Sequence, residues 1–283
     1  MNRYSIKIAV VLLLGLICPG LASAEIDLRI EQTIKLDEKP IDTAVSVKGT
    51  YLFVLTDDGI VHTYDSDGNV KGEFYVGENV DKIACGHNDN ILILSSKKNR
   101  EVQKIVFDFI EVINIEGSPY KGNADAPIVI VVFTDYQCPY CSRLSPILDQ
   151  VIENNKGMVK VVTKNFPLPM HGFARNAAAA ALAAHKMGKF WEFHKALYEN
   201  SYQLSEKKLL EIATGLGLDP DKFKQEMESK EIRKKIDRDI MEAEDAGATG
   251  TPTVFVNGRK LRNRSLEGFQ DIINTLLNEQ QQN

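Results

Sequence analysis

The stretch IVIVVFTDYQCPYC, residues 128–141, decides how this chain is read. Its opening run, residues 128–133, is unbroken apolar sequence, the composition of a strand buried on both faces as in a parallel sheet. Two cysteines three apart, Cys138 and Cys141, then enclose Pro139 and Tyr140, and a helical pattern covers residues 139–154. Thiols at i and i+3 in the first turn of a helix share a face and can close a small disulfide ring. The first thiol lies where unpaired amides and the helix dipole favour a thiolate. Pro139 is tolerated there because its missing N–H would have had no helical partner. Each unit by which such a pKa falls is worth about 1.4 kcal/mol, or roughly 30 mV if all of it stabilises the reduced form.

Working outward toward the C-terminus, a second strand is expected over 159–165. After FPLP at 166–169 the chain reads as helical from about 172 to 246, with the alanine run at 177–184 as its strongest helix former. The segment TVFVN at 253–257, a turn at Gly258 and a last helix over 266–277 complete the series. Strand–helix–strand, a helical insertion, then strand–turn–helix is an α/β layout. For the cysteine pair, a purely structural disulfide is disfavoured because so tight a ring restrains little unfolded-state entropy. A zinc site needs two further ligands, and the domain offers only His171, His185 and His194 without a second cysteine pair. A c-type haem site is excluded because Ser142, not histidine, follows Cys141. A redox-active pair is the reading that remains, with no metal and no other cofactor expected.

Three segments, FTDYQCPYC (133–141), KNFPL (164–168) and GTPTVFVNG (250–258), resemble the DsbA-like branch of the thioredoxin superfamily over residues 117–278. The resemblance implies a thioredoxin fold with an inserted helical subdomain. It implies a cis peptide between Thr251 and Pro252 beside the cysteines, which would turn Thr251's backbone toward an extended substrate. Without the resemblance, a trans proline opening a strand is the simpler reading. The resemblance also implies that Cys138 is the attacking, exposed cysteine, Cys141 the buried resolving one, and Pro139 and Tyr140 their modulators. There is one departure: many relatives carry a buried acid six residues before the first cysteine, and here that position is Val132. Asp135 is expected near the strand's end rather than beneath the pair. Proton transfer at Cys141 is therefore unassigned, with water or Lys164 as candidates and Lys164 expected as a solvated strand residue. His171 reads as a surface histidine, Phe166, Phe190 and Trp191 as subdomain core, and the basic run 233–238 as a solvated helix face.

Toward the N-terminus, Arg3 and Lys7 precede an apolar run at 8–17, and Ala22-Ser23-Ala24 follows. This is the pattern of an export signal, residues 1–24, with cleavage expected after Ala24. The run is shorter than the roughly 18 residues of a membrane span, and bulky Leu16 and Ile17 argue against lipid attachment at Cys18. Cleavage would remove two bases and no acid, taking the net charge from −5 to −7, and leave three cysteines. Residues 25–115 read as a small all-β domain with hairpin chemistry at Asp57-Asp58-Gly59 and over 65–69. TYLFVLTDDG at 50–59 echoes DNILILSSKK at 89–98, which suggests two propeller-blade-like meanders; coincidence between two hairpins accounts for the echo nearly as well. Residues 116–127, EGSPYKGNADAP, have linker composition, placing the second domain at 128–283. Cys85 is open to three readings: a buried free thiol, an intermolecular bridge, or a metal ligand with His87 and His62.

The whole chain is 43% hydrophobic and 26% charged, which excludes disordered and collagen-like classes. Its acidic balance offers nucleic acid no electrostatic footprint. The expected function is an exported, soluble thiol–disulfide oxidoreductase acting on protein thiols, with oxidase or isomerase favoured, although oxidase, isomerase and reductase use the same two cysteines and sequence barely separates them. Its partners would be protein thiol and disulfide substrates and a redox protein that reoxidises or reduces the pair, with a homodimer through the β domain left open. The alternative is a redox-switched binding or chaperone module whose β domain holds one exported partner.

Overall fold

The computed structural model describes residues 29–30 and 32–282, so the export signal expected over 1–24, and Cys18 within it, lie outside the described residues. The chain divides into two compact units, one from residues up to 83 together with 95–101, the other from 84–94 together with 102–283.

The N-terminal region is all β. Strands β1 (Pro40–Val45), β2 (Tyr51–Thr56), β3 (Ile60–Asp65) and β4 (Val70–Tyr75) form one antiparallel sheet in chain order. Phe53, Leu55 and Val61 are fully buried on it. Gly59 closes the β2–β3 turn at φ 81°, and a Cβ there would meet the Gly77 carbonyl carbon at 2.5 Å, so no other residue fits. In the β3–β4 turn the Asp65 carboxylate accepts from the amides of Asp67 and Asn69, the hydrogen bonding that the Asp-rich turn sequence favours. Strands β5 (Lys82–Cys85), β6 (Ile91–Ser96) and β7 (Glu101–Val106) form a second sheet, again in chain order. The two echoing segments contain β2 and β6, each the second strand of its sheet. Strand β7 is largely solvated and shows no apolar periodicity.

The rest of the chain is built on five strands in the order β12-β11-β9-β10-β8. They are β8 (Tyr120–Gly122), β9 (Ile128–Thr134), β10 (Val159–Asn165), β11 (Thr253–Val256) and β12 (Arg259–Lys260). Central β9 and β10 are parallel, from Ile128 opposite Val159 to Thr134 opposite Asn165. Helix α1 (Pro139–Asn154) crosses between them, and β11 pairs antiparallel with the other side of β9. This is the thioredoxin arrangement. Between β10 and β11 come α2 (Ala174–Lys186), α3 (Phe190–Glu199), α4 (Glu206–Gly215), α5 (Pro220–Met227) and α6 (Lys230–Asp245), and α7 (Leu266–Gln282) closes the chain. Among the described residues no helix is long and apolar enough to cross a membrane.

Two corrections concern the segment ahead of β9. Residues 120–122, inside the stretch with linker composition, form the edge strand β8 antiparallel to β10. All three are exposed, so no apolar pattern marks them. Upstream, residues expected in the β domain lie along this second unit: the Glu111 amide donates to the Gly258 carbonyl, and the Asn114 carbonyl accepts from Lys164.

One sheet face packs Ile128, Ile130 and Val132 against Leu144 and Val151 of α1 and Phe269 and Ile273 of α7. The other packs Val131, Phe133 and Phe255 against Ala243 of α6. In the helical insertion every residue from 177 to 184 is buried. The alanine run is thus more than a good helix former: side chains this small let neighbouring helices approach α2 from several sides.

Lys164, expected to be solvated, is 1% exposed. Its ammonium donates to the Asn114 carbonyl and to Glu242, and lies 3.1 Å from an Asp239 carboxylate oxygen. Asp239 also accepts from the amide and side chain of Asn165 and from Lys235, which bonds Ser118 as well. Lys235 is therefore the exception in an otherwise solvated basic run. This network ties α6 to β10. Removing one partner of a buried pair strands the others' charge, so Asp239→Ala should cost about 3–5 kcal/mol in urea unfolding. Asp237→Ala, which breaks an exposed pair with Arg175, should cost under about 1 kcal/mol.

Candidate active site

The parallel register of β9 and β10 delivers the chain to the start of α1, where Cys138 occupies the N-cap with extended backbone (φ −79°, ψ 119°) and Pro139 takes the first helical turn. The Cys138 carbonyl accepts from the amides of Cys141 and Ser142. Its side chain supplies no oxygen to cap the remaining amides, so their positive end is left for sulfur. Both cysteines are free thiols.

The loop before the helix is held by side chains that sequence reading left outside the site. Asp135, buried, accepts from the amides of Gln137 and Leu168 and meets His171 Nδ1 at 2.8 Å. Gln137 accepts from the Phe173 amide at 2.6 Å. The segment 166–173 is thereby clamped onto the cysteine loop. His171 is accordingly a half-buried partner of Asp135 rather than a free surface histidine.

The peptide bond between Thr251 and Pro252 is cis. Cys138 Sγ lies 3.3 Å from the Thr251 carbonyl oxygen, which brings this loop against the first cysteine. The Thr251 hydroxyl is buried without a hydrogen-bond partner, leaving its proton available to a thiolate. Tyr140 is exposed, with the Arg143 guanidinium 4.8 Å from its ring centre. One expectation is corrected. Cys138 is not an exposed residue: it is 4% accessible against 2% for Cys141, because the cis-peptide loop lies over it.

What separates the two thiols is electrostatics. Cys138 is pulled down to about 5, first by the Cys141 thiol donating to it, then by Thr251 and the amides of Cys141 and Tyr140, with burial opposing. Cys141 is pushed far up, first by burial and then by Cys138. The pair is therefore one thiolate and one thiol at neutral pH.

Beneath Cys141 lies a polar aromatic cluster. Thr134, at the end of β9, lines the same small cavity as Cys141, and its hydroxyl is 2.5 Å from that of Tyr198. Tyr136 bonds His194 Nδ1 at 3.0 Å, and the rings of Tyr136, His194 and Tyr198 pack together. Burial pushes His194 down to about 4, so it is neutral near pH 7. The signal for these residues was in the sequence: Trp191, His194 and Tyr198 recur at three- and four-residue spacing on α3. Phe190 is core as expected, Phe166 belongs to the sheet core beside α6, and half-buried Trp191 donates its indole N–H to the Tyr120 carbonyl.

Away from the site, Cys85 is half-buried and burial raises its pKa. His62 faces Glu73 at 3.3 Å, and among the described residues no group of three or more histidine, cysteine or carboxylate side chains could hold a metal.

Comparison with known proteins adds a family. The one described as thioredoxin matches residues 114–275. A thioredoxin-like oxidoreductase from Silicibacter pomeroyi is 28% identical, with a TM-score of 0.51 over 59% of this chain and 94% of its own. BdbD from Bacillus subtilis, in its oxidised form, is 26% identical, with a TM-score of 0.51 over 58% of this chain and 95% of its own. The Na(+)/H(+) antiporter NhaA 3 of Salinispora tropica is 32% identical over 156 residues, which are 55% of this chain and 24% of the antiporter. The chain thus spans about a quarter of the length of the curated relatives it matches.

The unequal thiols make a direct prediction. At pH 6.5, iodoacetamide should label Cys138 and spare Cys85 and Cys141, with the Cys138 rate titrating near pH 5. The depressed thiol also stabilises the reduced fold. That contribution is complete above the unfolded thiol's value of about 8.5, shrinks as pH falls, and is gone below about 5. The melting temperature of the reduced protein should therefore fall toward that of Cys138→Ser as pH is lowered from 8.5 to 5.

Proposed function

The chain belongs to the thioredoxin family, in its DsbA-like branch, and on that premise we propose that it is an exported thiol–disulfide oxidoreductase that oxidises or isomerises protein thiols through Cys138 and Cys141. The observation that carries this reading is the asymmetry of the pair: a stabilised Cys138 thiolate at a helix N-terminus beside a cis peptide, over a Cys141 kept protonated.

In the oxidising direction a substrate thiolate attacks Cys138 Sγ. The Cys138–Cys141 bond breaks, and its electron pair stays on Cys141, which takes a proton. A second substrate thiolate then attacks the substrate sulfur of the mixed disulfide and expels Cys138 as thiolate. A stable thiolate is a good leaving group, so the low pKa of Cys138 favours release of oxidised substrate and raises the potential of the couple. Thr251 would hold the substrate backbone in β fashion, with Pro252 fixing its direction and exposed Tyr140 bordering the cysteine. A separate redox protein would restore the pair. The N-terminal β region, and any dimer it forms, would serve to hold the substrate. The expected export signal places this work outside the cytoplasm, where such pairs cycle.

The test is the reduction potential of the couple in glutathione buffers, with reduced fraction read by thiol labelling and mass. A value near or above about −180 mV supports an oxidant or isomerase, and one near −270 mV makes the protein a reductase. A pair that never cycles in this range removes the enzymatic reading. In the same assay Cys141→Ser should accumulate a mixed disulfide on Cys138 with a reduced protein substrate activated at one thiol, and Cys138→Ser should accumulate none.

A further inference from the structure

Building on that oxidoreductase reading, the proton that Cys141 gains or loses in each turnover needs a route. When the Cys138–Cys141 bond is opened, a thiolate forms on a sulfur whose surroundings disfavour charge. Val132 has no proton to give. The Asp135 carboxylate is occupied by two amides and His171. Lys164, a candidate from the sequence, is spent on Asn114, Asp239 and Glu242. His194 Nδ1 is engaged with Tyr136. The Thr134 hydroxyl is the candidate that remains: it lines the same cavity as Cys141 and is 2.5 Å from the Tyr198 hydroxyl.

Cys141, Thr134 and Tyr198 also line one small cavity of about 20 Å³. A volume of that size holds about one water, given polar partners. The same cavity is bordered by Thr163 and by Lys121 and Asp149, an ion pair of 2.5 Å whose side chains are 43% and 57% exposed. The cavity thus borders both the buried sulfur and two groups in contact with solvent, and Val132, Leu144, Leu148, Ile152 and Val161 make the rest of its wall largely apolar.

We propose that the hydroxyls of Thr134 and Tyr198 form a proton relay between Cys141 and solvent at the Lys121–Asp149 pair. In the opening step Thr134 gives its proton to the Cys141 thiolate and takes the Tyr198 proton. Tyr198 is reprotonated by cavity water, so one proton enters from solvent for each Cys141 thiolate formed. In the closing step the proton leaves by the same path as Cys141 attacks the mixed disulfide at Cys138. Each residue keeps its neutral form before and after, and no oxidant beyond the exchanging disulfide is needed. Thr134, which lines the cavity with the reacting sulfur, is assigned as the group that exchanges the proton with it, while Tyr198 acts through Thr134.

The test is stopped-flow reaction of the oxidised full-length protein with glutathione, followed by fluorescence of Trp191, the single tryptophan, which borders the same cavity. Rates are taken across pH in H2O and D2O for wild type, Thr134→Val, Thr134→Ser and Tyr198→Phe. General acid–base groups contribute typically about 10²–10⁴-fold. Thr134→Val should slow the reaction at least about tenfold and change its solvent isotope effect. Tyr198→Phe should do the same to a lesser degree, and Thr134→Ser should restore wild-type behaviour. The equilibrium potential should move far less than the rate, because Cys141 is protonated in the reduced state with or without the relay. Unchanged rates and isotope effects in both hydroxyl deletions overturn the relay, as does failure of serine to rescue. If Thr134→Val does not fold, Tyr198→Phe, which keeps its ring packing, decides alone. A wild type that is itself inert to glutathione at every pH overturns the oxidoreductase reading and the relay with it, an outcome distinct from equal rates in an active series.

Discussion

Helix N-termini present amides without partners, and proteins ordinarily satisfy them with the oxygen of serine, threonine, aspartate or asparagine. Here the N-cap is Cys138, with Pro139 behind it, so the positive end of a sixteen-residue helix is met by sulfur. That substitution turns a structural need into a chemical property, because the amides stabilise a thiolate better than a thiol. The surrounding fold serves to hold this one cap in place. The parallel register of β9 and β10 sets where α1 begins, and the side chains of Asp135 and Gln137 tie the cap's loop to residues 168–173. The loop at Thr251 then approaches the same sulfur from across the site.

A site of this kind needs a rigid insertion above it, and buried charge provides part of that rigidity. Asp239 on α6 joins Asn165 at the end of β10 with Lys164 and Lys235, so the far end of the helical subdomain is fixed beside the strand that flanks the cysteine loop. On the near side α3 brings His194 and Tyr198 under Cys141. The alanines of α2 let these helices close around a narrow axis. The same insertion thus contributes part of a structural ion network through α6 and two uncharged polar side chains, His194 and Tyr198, through α3.

The sequence was legible where chemistry and periodicity coincide. An apolar run ending in Cys-Pro-Tyr-Cys reads as a buried strand feeding a helix, and three ordered segments carried the family resemblance. Edge strands were not legible, since β7 and β8 bury little and have no pattern to detect. Buried polar residues were misread for a related reason. Lys164 looks solvated on a strand until Asp239 and Glu242 arrive from a helix far along the chain, and His171 looks free until Asp135 meets it. The accessibility of Cys138 was overestimated because the loop covering it comes from near the other end of the domain. Burial made by distant segments is a property of the tertiary structure, and no local pattern encodes it.

That distinction bears on why uncharged groups beneath Cys141 suit this pair. A buried carboxylate near the sulfurs would accept a proton readily, but its negative charge would also repel the Cys138 thiolate and raise its pKa. Burial instead keeps the hydroxyl of Tyr198 protonated and the ring of His194 neutral, so neither adds charge below the thiolate. Val132, six residues before Cys138, packs with Leu144, Val151 and Phe269. An apolar residue there strengthens the core between sheet and helices and leaves the potential at Cys138 to be set by the helix terminus, Thr251 and the Cys141 thiol. The low pKa of the first cysteine and the neutral Tyr198 and His194 below the second are then complementary features of one arrangement, in which the carboxylate of Asp135 is taken up by two amides and His171.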